Sequence, residues 1–173
     1  MRQTLVVIDM QAGFPTTPEF KFKGSLGDVT YDERRHDPEL TKAIRRLVAA
    51  NIREGNPIVL VEYADEGRTI PPIYNMLKGY KHRARCSKEN DGGSDEVIRT
   101  IKRRKFPIGK LIVCGIFADY CVSATVGGLS RKLPKSKIIV PKNAIMSCGM
   151  GIGVGTRNYE KRHNVKIRKP ARM

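Results

Sequence analysis

The chain has 173 residues, 40% of them apolar and 29% charged, with 33 lysines and arginines against 17 acidic side chains and a net charge of +16. That length and balance predict one soluble globular domain, residues 1–173, with a substantial core, and there is no apolar span long enough for a membrane helix. Cys86, Cys114, Cys121 and Cys148 form no CxxC pair and no Cys/His cluster, which argues against structural zinc; with no secretory leader, the expected address is a reducing cytoplasm.

Thr4–Ile8 (TLVVI) is a short, almost wholly apolar run, as expected of a strand buried on both faces. A polar loop rich in Pro, Gly and Asp follows to about Asp37. There Asp37-Pro38 opens a helix, with Leu40, Ile44, Leu47 and Val48 at helical spacing and Gly55 as its stop. Ile58–Val61 reads as a second strand. Ile70–Leu77 reads as a short helix that Pro71-Pro72 confines to its first turn. A third strand is expected near Arg83–Ser87, although it holds little aliphatic material.

Asp91-Gly92-Gly93 is a turn signal, and Ser94 is the expected N-cap of a helix that carries Val97, Ile98 and Ile101 on one face. Leu111–Cys114 forms the fourth strand, and a helix runs from about Cys121 to Arg131. Ile138–Val140 and Val165–Ile167 complete the strands. Strands alternating with helices at this spacing predict an α/β fold: three layers, α-β-α, around a mainly parallel, Rossmann-like sheet of about five to six strands. Gly149, Gly151, Gly153 and Gly155 do not have GxGxxG spacing and read as an irregular loop; no Walker A sequence occurs, and no cofactor is called for.

Three chemically able side chains follow different predicted strands: Asp9, Lys88 and Cys121. In an open parallel sheet, ligands bind beyond the carboxyl ends of the strands. Cys121 also begins a helix, where unpaired N–H groups and the helix dipole favour a thiolate. An acid, an ammonium and a thiol converging there would suit nucleophilic attack on a carbonyl carbon: the carboxylate accepts the thiol proton and the lysine stabilises the sulfur's charge. Backbone N–H groups at the helix start can hold the oxyanion.

TLVVIDMQAGF and LIVCGIFADYCVSATV resemble the two signature segments of the isochorismatase-like cysteine hydrolases, a family that includes nicotinamidases and N-carbamoyl amidohydrolases. Asp9, Gln11 and Phe14 match the first; Gly115, Ile116, Cys121, Val122 and Thr125 match the second. The resemblance extends to about Asn143. It implies an Asp–Lys–Cys triad of Asp9, Lys88 and Cys121, with Lys81 the alternative lysine. It also implies a cis peptide at Ile116–Phe117, an oxyanion hole from the N–H groups of Phe117 and Cys121, and a homo-oligomer. Phe14, Tyr63, Tyr120 and Phe117 are candidate pocket walls, with Gln11 beside them.

Nicotinamidases carry an Asp-x-His metal site after the second strand. Here VEYADEGRT places Gly67 where that histidine would stand after Asp65, and His36, His82 and His163 are the chain's histidines, so no metal site is expected. The expected activity is hydrolysis of a C–N bond in a small amide or carbamoyl substrate, with the basic surface favouring an anionic one. A catalytically silent basic protein that binds nucleic acid or another polyanion on the same scaffold is the alternative.

Overall fold

A computed structural model describes residues 2–14, 16, 36–147, 151–154, 159 and 161–169 of the chain. β1 (Thr4–Ile8) is buried along its whole length because its side chains feed two cores by turns. Leu5 and Val7 join one, Val6 and Ile8 the other. This is the two-residue period of a strand covered on both faces. β1 pairs in parallel with β2 (Ile58–Tyr63) on one side and with β4 (Lys110–Ile116) on the other. With β3 (Arg83–Lys88), β5 (Lys137–Pro141) and β8 (Val165–Arg168), the main order is β3-β2-β1-β4-β5-β8, parallel throughout. Strand order therefore reverses between β1 and β4, the point beyond whose carboxyl ends ligands bind in open parallel sheets.

Helices cover both faces, giving the expected three layers. α1 (Pro38–Arg53) sends Leu40, Ile44 and Val48 into the first core, beside α2 (Pro71–Tyr74) and the 3-10 turn Asn75–Leu77. α3 (Ser94–Arg104) and α4 (Cys121–Lys132) send Val97, Ile101, Val122, Val126 and Leu129 into the second. Asp37 caps α1, its Oδ1 accepting the Leu40 N–H at 2.8 Å. Asp37→Ala is expected to lower stability by about 1 kcal/mol, read from the urea-unfolding midpoint. Among the described residues no helix is long and apolar enough to cross a membrane.

The structure departs from expectation in several places. Gly93, not Ser94, is the N-cap of α3, and no side chain caps that helix. A side chain at position 93 would be crowded, because a Cβ there would stand 3.0 Å from Lys88 Cδ and 3.0 Å from Val61 Cγ1, and those side chains would have to shift. Two short strands were not foreseen. β6 (Ile145–Ser147) pairs with Gly115 and Ile116, beyond the point where β5 leaves β4, and β7 (Gly151–Ile152) folds back against it. Cys148, Gly149, Gly155 and most of the polar loop before Asp37 lie outside the described residues.

Candidate active site

Asp9 directly follows β1 and has a φ of 51°, in the left-handed region that Asp enters more readily than most residues. Its N–H donates to the Val61 carbonyl at 2.9 Å, so the turn grows out of the sheet itself. Gln11 secures that turn. Its Nε2 donates to the Tyr63 and Gly67 carbonyls at 2.9 and 2.7 Å, and its Oε1 accepts the Tyr63 N–H at 2.6 Å. Expected in the substrate pocket beside those walls, Gln11 has its amide committed to backbone and is fully buried, so it ties the end of β2 to the end of β1.

Gly115 brings β4 against β1. It has a φ of 123°, and a Cβ there would collide with the backbone of Ile8, so only glycine permits the approach. Beyond it, the Ile116–Phe117 peptide is cis, and a short loop leads to Cys121, the first residue of α4. The bonds of that loop use the N–H groups of Ala118, Tyr120, Val122 and Ala124, and not those of Phe117 and Cys121.

Lys88, the last residue of β3, joins these elements. Its Nζ lies 2.9 Å from Asp9 Oδ2 and 3.4 Å from Cys121 Sγ. It also donates to the Asn90 carbonyl at 3.0 Å and sits 4.2 Å from the centre of the Tyr63 ring, a cation–π distance. The side chains of Lys88 and Asp9 are each 1% exposed. Lys81, by contrast, is exposed in the turn that precedes β3, at the other end of that strand.

Burial is the main influence on both ionisable partners of Lys88. It raises the pKa of Asp9, against the opposing pull of Lys88. It also pushes the Cys121 thiol well up, helped by the charge of Asp9 and opposed by Lys88. Burial of the site thus works against the ionisation that a helix N-terminus and Lys88 favour. The same burial that opposes ionisation of the thiol makes the neighbouring carboxylate more basic. Of the other described cysteines, Cys86 is pushed up to about 11 and Cys114 is raised by complete burial.

Phe14 meets Tyr63 and Phe117 edge-to-face, with ring centres 5.9 Å apart in each case, forming an apolar wall beside the lysine. Tyr120 is 56% exposed. A cleft of about 850 Å³ shares Tyr63 with this site, but it runs along β2 and β3 past Arg68, Tyr74 and Arg85, and Asp9, Lys88 and Cys121 do not line it. Thr125 Oγ1 accepts the Gly93 N–H at 3.0 Å and so ties α4 to the loop that follows Lys88.

Two acidic residues near the site escaped the sequence reading. Asp91 Oδ1 accepts a hydrogen bond from the Cys121 thiol at 3.7 Å. Glu66 is buried, with Oε2 lacking a hydrogen-bond partner among the described residues, and burial together with the charges of Asp65 and Asp9 raises its pKa.

A family model described as the isochorismatase domain matches residues 3–148. Among solved structures, a nicotinamidase from Bacillus subtilis aligns with a TM-score of 0.69 at 17% identity, covering 96% of this chain and 99% of that one. N-carbamoylsarcosine amidase from Thermoplasma acidophilum aligns at 0.66 with 17% identity, covering 100% and 99%. A ribonuclease from Caenorhabditis elegans aligns at 0.59 with 19% identity, covering 84% of this chain and 65% of that one. At such identities these likenesses speak for the fold. A search among curated proteins gave no match.

Proposed function

We propose that this chain, which belongs to the isochorismatase domain family, is a cysteine hydrolase that cleaves a C–N bond of a small amide or carbamoyl compound. The observation that carries the reading is Lys88 Nζ in contact with both the Asp9 carboxylate and the Cys121 sulfur in a buried site. Cys121 passes its proton to Asp9 as the sulfur attacks the carbonyl carbon, and Lys88 offsets the charge that develops. The N–H groups of Phe117 and Cys121, unused within their loop, receive the oxyanion. When the C–N bond breaks, Asp9 returns the proton to the departing ammonia or amine, leaving a thioester on Cys121. Asp9 then takes a proton from water, whose oxygen attacks the thioester. The acid is released and the thiol regains its proton from Asp9.

Asp9→Asn tests this division of labour, because it removes the base and also the charge that presses the thiol pKa upward, while Lys88 remains. Ammonia release across an amide and carbamoyl panel is expected to fall by about a thousandfold. Alkylation of Cys121 by iodoacetamide at pH 8, followed on its own peptide by mass spectrometry, is expected to quicken by about tenfold. Turnover that survives the substitution, with alkylation no faster, would refute the mechanism.

The net charge of +16 favours a second reading, a catalytically silent protein that binds polyanions. On that reading, nucleic-acid binding is tight, steeply salt-dependent and indifferent to Cys121→Ala.

A further inference from the structure

The chain as a whole is strongly basic, yet the groups around its reactive sulfur set two carboxylates, Asp9 and Asp91, against the single ammonium of Lys88. Lys88 is occupied by Asp9 at 2.9 Å. Asp91, an exposed residue of the connection between β3 and α3, accepts a hydrogen bond from the Cys121 thiol through Oδ1 at 3.7 Å. Among the described residues its carboxylate has no cationic partner. The connection is built rather than loose: Asn90 Oδ1 accepts the Gly92 N–H at 3.0 Å, the Asn90 carbonyl accepts from Lys88, and Thr125 holds Gly93. Glu66, close enough to Asp9 for their charges to interact, adds a carboxylate whose Oε2 has no hydrogen-bond partner among the described residues.

An electrophilic carbon must come within roughly 3–3.5 Å of the sulfur to react. A substituent one or two bonds from that carbon then falls within reach of Asp91. A positive group there gains a charge-assisted hydrogen bond, whereas a negative one meets an uncompensated charge at short range. Lysines elsewhere on the surface act across a Debye length of roughly 8 Å and do not cancel a direct neighbour.

We propose that Asp91 is a specificity-determining residue, and that the substrate is a small amide carrying an ammonium or guanidinium group next to the scissile carbonyl. The inference rests on the reading of Cys121 as the hydrolytic nucleophile, and it reverses the anionic preference suggested by the overall charge.

The test has an arm that does not depend on turnover. Cys121 is modified with a cationic trimethylammonioethyl methanethiosulfonate or an anionic sulfonatoethyl methanethiosulfonate. In either case the sulfur forms a mixed disulfide and methanesulfinate departs. After correction for the two reagents' rates on a free thiol, the cationic one is expected to react about tenfold faster at low salt. Asp91→Asn should remove most of that ratio, Asp91→Lys should invert it, and Asp91→Glu should keep it. In parallel, kcat/KM for ammonia release is compared between glycinamide and its uncharged analogue propionamide, with the Asp91→Asn loss on the cationic amide expected in KM. A charge ratio that ignores Asp91→Asn and Asp91→Lys overturns the proposal even if amides are cleaved. Silence on every amide, with the ratio behaving as described, overturns the hydrolase reading and leaves Asp91 as the charge filter of a reactive thiol.

Discussion

Cys121→Ala is expected to lower ammonia release by at least about ten-thousand-fold, because the covalent route has no second nucleophile to fall back on. The fold should survive. The Asp9–Lys88 ion pair does not pass through the sulfur, and losing one buried heavy atom costs only about 1 kcal/mol. Ammonia release and the urea-unfolding midpoint, measured on the same preparation, separate the two effects. Turnover within a hundredfold of the wild type would mean that water is activated without the thiol, and the thioester mechanism would fall.

Lys88→Met should strike stability as well as activity. Methionine keeps much of the buried stem and removes the charge, so Asp9, 1% exposed, is left without its counter-ion. Breaking such a pair costs about 3–5 kcal/mol near neutral pH. The pH dependence has a definite sign. Burial already raises the pKa of Asp9 above the ordinary 3.8, and Lys88 is the strongest influence holding it down, so the substitution raises it further. A carboxyl group that binds its proton more tightly in the folded state stabilises the fold below its unfolded pKa. That contribution is lost as pH rises through the folded pKa. The deficit of the variant against the wild type should therefore be largest at neutral pH and shrink toward acid. Urea unfolding at steps between pH 5 and 8 would show it, and a deficit that stays constant or grows on acidification would contradict the account.

Much of the scaffold was legible because it rests on alternation and punctuation. TLVVI had to be a strand covered on both faces, and Asp37-Pro38 had to open a helix; both elements lie where the residues placed them. Lys88 was harder to place because β3 is the edge strand of the main sheet, with a mixed burial pattern and little aliphatic signal. β6 and β7 are too short to carry a pattern and exist because β4 offers an open edge past Ile112. The site was legible as residue types and not as electrostatics. Desolvation of Cys121 depends on everything packed around it, so its upward pull on the thiol pKa could not be read from a helix N-terminus alone. Asp91 appeared as part of a turn signal, which gives the bend but not the direction of its side chain. Gln11 looked like a binding group until its partners proved to be backbone.

The close passage of Gly115 along Ile8 has a consequence for anyone redesigning this scaffold. The spacing between the strand that ends in the acid and the strand that leads to the thiol is set by two backbones in contact, with no side chain between them as a spacer. Volume-conserving swaps such as Leu↔Met in either core should therefore leave the reacting groups in place at a cost of less than about 1.5 kcal/mol each. The seam between β1 and β4 works as a ruler, and the helices on both sides are free to be rewritten around it.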